Sequence, residues 1–301
     1  MHSDSSPRVV ALDSQLADLA AERADQLPPG LRQQLTAFKL APPPAGCLLL
    51  KGLPVGTLPP TPREPTAPIA KSNATELRLL SVAALLGEAV GYGPEHGGDV
   101  VQNIVPVREA AASQTSTSSK VDLMFHTEAA FHPHRPRYLL LFCLRGDVQA
   151  RTTVASIHAA LAFLDPAVVE VLFQERFRCA VDESYLHGRA NVLGPPTSVL
   201  SGSLADPTMV FDQDLMVGMD EEADDALHDL GVALMQHHDG VVLEPGDLFV
   251  IDNGLVVHGR SPFTPRFDGT DRWLQRAFVV DDLAASAGER TGRVITTVFG
   301  V

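Results

Sequence analysis

The chain predicts a mainly β domain of the sandwich or barrel type with helices packed outside it, and three observations carry that prediction. Its last third alternates short apolar runs with turn residues. Runs at 241–243 and 247–251 flank Glu244-Pro245-Gly246, Asn253-Gly254 precedes 255–258, and 272–280 closes the series. Short strands separated by Gly, Pro and Asn are the pattern of sandwiches and barrels. Residues 138–144 form an unbroken apolar run bounded by turns, as expected of a central strand. The length, 301 residues with 45% apolar side chains, allows one large core, and barrels and sandwiches of this size commonly stay single. We therefore expect one domain over 1–301, with its core at about 46–280.

Taken in order, residues 13–27 predict an amphipathic helix that starts at the polar Asp13-Ser14 and carries Leu16, Leu19, Ala20 and Ala24 on one face. Pro28-Pro29-Gly30 stops it. Residues 46–53 read as a buried strand and 54–68, with six prolines, as an extended surface loop. Leucines and alanines at helical spacing predict a helix over 75–90 ending at Gly91. Residues 100–107 read as a strand, and the hydroxyl-rich 113–119 as a loop leading into the strand at 125–128. Helical pattern returns over 156–177, where Asp165-Pro166 supplies a cap and a first-turn proline. Residues at about 185–210 are rich in Gly, Pro, Ser and Asn, and a loop that long suggests a lid. Asp220 caps a helical insert at about 220–238 whose first turns are acidic, complementing the helix dipole.

The formal charge of −14 argues against a nucleic-acid partner, which needs a concentrated basic surface, and suits a small cationic or zwitterionic ligand better. Three widely spaced cysteines (Cys47, Cys143, Cys179) have no metal-type spacing and read as reduced thiols. The first twelve residues lack an apolar signal region, and no run is long enough to span a membrane. A cytoplasmic location without membrane attachment is the expectation. The oligomeric state is left open.

The chemistry begins at Phe125-His126-Thr127-Glu128. On a strand, His126 and Glu128 point the same way, and an imidazole beside a carboxylate is two-thirds of the facial triad that holds non-haem Fe(II) with positions left open. Chance alone supplies roughly one or two His-x-acid pairs among 11 His and 37 acidic residues. Two others occur. His2/Asp4 lies at a terminus expected to fray, and His237/Asp239 at an exposed helix end, where a histidine suits the dipole. His258, ending a strand after a tight turn, is the natural third ligand. Downstream, Arg272, Leu274, Arg276 and Phe278 share one face of the final strand. Two arginines on an apolar face are costly unless each meets an anion, and a dicarboxylate answers that need.

His126-Thr-Glu128, Phe131-His-Pro133, Cys143-Leu-Arg145, His258-Gly-Arg-Ser-Pro-Phe and Asp271-Arg-Trp-Leu-Gln-Arg276 together resemble the clavaminate synthase-like branch of the Fe(II)/2-oxoglutarate-dependent dioxygenases. That branch includes asparagine oxygenases and the arginine β-hydroxylase of an antibiotic pathway. The resemblance runs in order from about Cys47 to Val280. It implies a double-stranded β-helix (jelly-roll, cupin-like) core and iron held by His126, Glu128 and His258. It also implies that Arg272 grips the distal carboxylate of 2-oxoglutarate, with Thr153 helping and Thr152 the less favoured candidate. O2 and 2-oxoglutarate would be consumed as the substrate is hydroxylated, with release of succinate and CO2. A carboxylate ligand at Glu128 argues against a halogenase.

For the substrate, the resemblance implies that Gln102 and Glu128 meet the ammonium of a free amino acid and that Arg276 meets its carboxylate, with Ser116 or Thr117 as helpers. Asp212 and Asp214, two apart in an extended segment, face one way, and a carboxylate pair repels itself unless a cation lies between. That favours L-arginine or L-lysine, with hydroxylation at C3 or C4, over asparagine or another neutral amino acid. Two other readings compete: a zinc hydrolase with the same three ligands, which leaves both arginines without a role, and a non-catalytic jelly-roll binding protein, against which the retained ligand set counts.

Overall fold

The apolar run at 138–144 becomes the centre of two facing sheets. A computed structural model describes residues 7–186 and 188–300, with side chains from Ser14 onwards. His2/Asp4 therefore lies outside the described residues. In chain order the strands of the two layers are β1 (Cys47–Leu50), β2 (Glu88–Tyr92), β3 (Val101–Ile104), β4 (Leu123–His126), β5 (Tyr138–Arg145), β6 (Arg151–Ser156), β7 (Asp239–Val242), β8 (Leu248–Asp252), β9 (Val256–Arg260) and β10 (Trp273–Val280). The larger sheet runs β1-β8-β5-β10-β2, with β3 also paired to β10, all antiparallel, and continues from β2 through a parallel strand at Val294–Ile295 to Arg290–Thr291. The smaller one runs β7-β6-β9-β4, again antiparallel. This is the jelly-roll arrangement, built as open facing sheets rather than a closed barrel.

Alternation along β5 shows why the layers form. Leu139, Leu141 and Cys143 point inward, into a core shared by Phe249, Ile251, Leu274 and Phe278 of the larger sheet, with Val154 of the smaller packed against it. Leu140, Phe142 and Leu144 point outward, against Leu35 and Phe38 of α2 (Pro29–Leu40) and Leu79, Leu80 and Ala83 of α3 (Ala74–Leu86). Both faces are buried, so the run needs no polar alternation. Each such leucine contributes about 1.5–3 kcal/mol. A helix at Glu221–Gln236, capped by Asp220 through Ala223 N at 3.0 Å, covers the outside of the smaller sheet.

Several elements depart from the expectation. The first helix begins at Pro7, so Asp13-Ser14 lies inside it. Pro28-Pro29 ends one helix and starts α2, because a proline at the first helical position gives up no hydrogen bond. The helix expected to reach residue 90 stops at Leu86, and 88–92 is β2. Gly87 sits where a Cβ would lie 2.2 Å from the Val280 carbonyl, so the chain can turn straight onto β10. The 156–177 helix is two, Ile157–Leu161 and Pro166–Leu172, followed by a strand at Phe177–Cys179. The expected lid at about 185–210 contains a hairpin, Leu200–Ser203 with Asp206–Met209.

Candidate metal centre

His126 and His258 are direct cross-strand partners on β4 and β9, so their rings share the inner face, with centroids 4.3 Å apart. Glu128 is not on the strand with His126, as the sequence suggested. β4 ends at His126, and Glu128 lies in the turn that follows, before Ala129 at φ 51°. Its side chain still reaches the pair. One ligand atom from each of His126, Glu128 and His258 lies within 4.8 Å of the others, the only such group among the described residues. His237 instead stacks on Phe163, ring centroids 3.4 Å apart.

The protonation states suit a metal. Burial pushes the Glu128 carboxyl up, but Arg276, His258 and His126 outweigh burial and hold it down at about 2. Burial, aided by His126, lowers His258 to about 4. At neutral pH the site offers a carboxylate and a neutral imidazole, the forms that bind metal. Glu128 Oε2, 3.4 Å from His258 Nε2, is buried without a hydrogen-bond partner, a defect that a bound cation repairs. His126 Nδ1 lies 2.8 Å from the Met124 carbonyl, which orients the ring by the usual outer contact of a metal-bound histidine.

Beside the triad lies a second unsatisfied feature. Arg272 is buried at 6% exposure, yet among the described residues it has no ion pair or hydrogen bond, and burial lowers its pKa to about 10. Arg260, also buried, is lowered to about 10 by burial and by the repulsion of Arg272. A guanidinium buried without an anion is a site awaiting one. The threonine expected to help needs correction. In the β9–β6 register Arg260 pairs with Thr152, His258 with Val154 and Gly259 with Thr153. Thr153 thus points away from the metal face, where a Cβ on Gly259 would meet its Oγ1 at 3.0 Å. Thr152 is on the inner face, and its buried Oγ1 has no partner. Thr152, not Thr153, fits the carboxylate.

A cavity of about 370 Å³ opens onto the triad. Ser116, Thr117, Asp212, Asp214 and Arg276 line it, as the sequence suggested. Gln102 does not. It lies opposite Arg276 in the β3–β10 register, fully buried, and its Oε1 accepts from Arg276 Nε at 2.8 Å, so it positions the arginine from behind. Asp212 extends β4 through a bridge to His126, and its Oδ1 accepts from the Asp214 and Leu215 backbone N–H groups, both at 2.9 Å. Asp214 is exposed. Among the described residues of the expected lid only Tyr185 borders the cavity, joined by Asp182 and Ser184 just before it.

The profile of the taurine catabolism dioxygenase TauD, TfdA family matches residues 46–278. The chain belongs to this dioxygenase family. It is 38% identical over 283 residues to an L-lysine 3-hydroxylase of Catenulispora acidiphila, covering 92% of this chain and 79% of that protein. Asparagine oxygenase, solved in complex with Fe(II), 2S,3S-3-hydroxyasparagine and succinate, superimposes with a TM-score of 0.86 at 34% identity, over 98% of this chain and 97% of the other. The non-haem iron oxygenase OrfP in complex with Fe and alpha-ketoglutaric acid gives 0.83 at 33% identity, over 96% and 98%.

The dioxygenase is thus a non-haem Fe(II)/2-oxoglutarate-dependent enzyme, and its residues fit both groups. His126, Glu128 and His258 would hold the iron, and Arg272 with Thr152 the distal carboxylate of 2-oxoglutarate. Bound together, iron and 2-oxoglutarate supply the oxygen-activating chemistry. Two cavity residues of the dioxygenase escaped sequence reading. Glu95 binds Arg276 at 2.7 Å and accepts from Tyr185 Oη at 3.0 Å, and burial lifts its pKa to about 6 against the pull of Arg276. Glu95 lies in a bend after β2 and Tyr185 on a short helix, Glu183–Leu186, and neither belongs to a motif that could have announced them. No helix among the described residues is long and apolar enough to cross a membrane.

Proposed function

We propose that the enzyme hydroxylates C3 or C4 of a free basic L-amino acid, lysine or arginine, with release of succinate and CO2, and that the chain acts as one catalytic domain. One observation carries the substrate choice. Among the described residues, five carboxylates (Glu95, Glu128, Asp182, Asp212, Asp214) face the cavity against a single guanidinium, Arg276. A zwitterion uses Arg276 for its carboxylate and Glu128 for its ammonium, and the remaining acids then face a substrate side chain. A second positive charge there lowers their mutual repulsion. The likeness to a lysine 3-hydroxylase supports the reading. The three free thiols suit a reducing, cytoplasmic setting.

Gln102, Arg276 and Glu128 act together in this proposal. Gln102 fixes the Arg276 guanidinium, and Arg276 Nη1 stands 3.5 Å from Glu128 Oε1, so the carboxylate and ammonium subsites lie side by side next to the metal. That fixes the α-carbon near the iron and presents the adjacent carbons to it. An asparagine-type substrate is the second reading. It is favoured by Asp212, whose Oδ1 is already committed to two backbone N–H groups and leaves a weaker cation clamp.

The test is to supply purified protein with Fe(II), 2-oxoglutarate and a panel of L-amino acids. Succinate and a product one oxygen atom heavier should form, fastest with lysine or arginine. No turnover with any amino acid would sink the proposal, and preference for asparagine would move it to the second reading.

A further inference from the structure

Arg260 stands apart from the residues assigned so far. It follows the metal ligand His258 by two positions on β9, so its side chain shares the inner face, and it is 4% exposed. Its guanidinium reaches the loop at 107–122: Nη1 donates to the Ser118 carbonyl, Nη2 to Ser118 Oγ at 2.9 Å and to the Val121 carbonyl at 3.4 Å. Every one of these acceptors is uncharged, and no carboxylate among the described residues lies within ion-pair distance. Its Nε is buried without a partner. Arg260 and Arg272 both approach the Phe263 ring, their guanidinium carbons 5.0 and 6.0 Å from its centre, so the two cations share one neighbourhood.

The loop that Arg260 holds is closed on itself, Val107 N donating to Thr117 O at 3.0 Å and Lys120 N to Ala111 O at 2.8 Å, and Phe263 N ties it down through Ser119 O at 2.8 Å. Its Thr115, Ser116 and Thr117 line the cavity. Arg260 therefore touches the back of one wall of the amino-acid cavity while adding positive charge to the pocket of Arg272 and Thr152.

We propose that Arg260 is a positioning residue joining the two halves of the site: it supplies a second positive charge to the distal carboxylate of 2-oxoglutarate, and through Ser118 and Val121 it makes occupancy of that pocket tighten the Ser116–Thr117 wall. Two neighbouring guanidiniums repel each other, and a dianion beside them relieves the repulsion. Arg260 then settles into one geometry, and the loop bonded to it settles with it. 2-Oxoglutarate binding thereby prepares the amino-acid cavity. The inference rests on the 2-oxoglutarate dependence of the enzyme and not on which amino acid it takes.

The experiment uses the full chain loaded with Mn(II), so that no turnover occurs, and reads 2-oxoglutarate affinity by calorimetry and backbone amide exchange over 107–122. In the unsubstituted protein, exchange there should slow severalfold when 2-oxoglutarate is added. Arg260→Gln should weaken 2-oxoglutarate roughly tenfold or more and abolish the slowing. Arg260→Lys, which keeps the charge but not the fork, should retain most of the affinity and still lose the slowing. If Arg260→Gln does not fold, the lysine variant and the unsubstituted protein decide. Exchange that ignores 2-oxoglutarate in the unsubstituted protein overturns the coupling. Arg260→Gln with affinity within about twofold of the original overturns the charge role, as does Arg260→Lys as slow to exchange as the original for the link.

Discussion

Asn253 grips the backbone of Glu128 from both sides: its Oδ1 accepts from Glu128 N at 2.7 Å and its Nδ2 donates to Glu128 O at 3.1 Å, across 125 residues of sequence. The same Nδ2 donates to Pro136 O at 2.9 Å. Because Glu128 lies in a turn beyond the end of β4, the sheet does not hold it, and this amide does. Asn253→Asp keeps the acceptor and loses both donors. We expect it to lower stability by about 1–3 kcal/mol in urea unfolding, the cost of unsatisfied buried carbonyls. Metal affinity, measured by chelator competition, should fall roughly 10–100-fold. Unchanged metal affinity would show that the turn holds Glu128 unaided.

Arg272 predicts an inverted effect. Its guanidinium is buried with no anion among the described residues, so the protein carries the desolvation cost until 2-oxoglutarate arrives. Arg272→Met should leave the 2-oxoglutarate-free protein as stable as before, or more so by about 1–4 kcal/mol. It should also weaken 2-oxoglutarate by about 2–5 kcal/mol, the usual effect of removing one partner of a buried charge pair. Thermal melts with and without 2-oxoglutarate check both. A destabilised ligand-free variant that keeps its 2-oxoglutarate shift would contradict the assignment.

His132 sets an acid limit on the fold. It is 1% exposed among Tyr92, Phe131, Tyr185 and Phe299, its Nδ1 accepts from His134 N at 2.9 Å, and burial, with His134 and Arg135, lowers its pKa to about 3. The folded pKa is depressed below the ordinary 6.5, so the unfolded chain binds the proton first. Stability is then fully present above about pH 6.5 and falls towards pH 3, with a slope of up to about 1.4 kcal/mol per pH unit from this group. His132→Asn, which retains an acceptor near the same place, should remove close to one proton from the uptake on unfolding between pH 4 and 6. The uptake is read from urea midpoints against pH, and an unchanged slope would place the acid sensitivity elsewhere.

How far the sequence could be read follows from where each signal resides. The runs at 138–144 and 272–280 announced strands because both faces of the larger sheet are covered, and His126 and Glu128 were found because their motif is compact, whereas His258, far along the chain, was found from its place at the end of a strand after a tight turn. Thr152 was passed over because Arg-Thr-Thr-Val-Ala-Ser has no apolar alternation to set its parity. Only the pairing of Arg260 with Thr152 decides which hydroxyl faces in. The strand at Glu88–Tyr92 was lost for a related reason: its composition continues that of α3, and the break rests on Gly87 alone. Gln102 was placed in contact with the ligand, whereas the fold sets it behind Arg276. Glu95 and Tyr185 meet from a bend and a short helix with no local signature, and such convergence is a tertiary property.

Asp214 offers the sharpest test of substrate choice. Asp212 and Asp214 were expected to act as equals, but their surroundings differ. Asp212 is buried at 9% exposure, and its Oδ1 caps the turn at 213–215, so replacing it disturbs the segment that extends β4 beside His126. Asp214 lines the cavity while exposed, and none of its side-chain oxygens accepts a hydrogen bond among the described residues. Asp214→Asn therefore removes charge with little structural cost. Against a side-chain guanidinium or ammonium it should raise KM roughly tenfold or more, the effect of losing a charge-assisted contact, with kcat little changed. Neutral amino acids should be processed as before, or better, because the repulsion among the remaining acids is smaller. Asp212→Asn should instead slow every substrate and loosen the metal. Equal losses for basic and neutral amino acids in Asp214→Asn would remove the cation clamp and, with it, the argument for lysine or arginine.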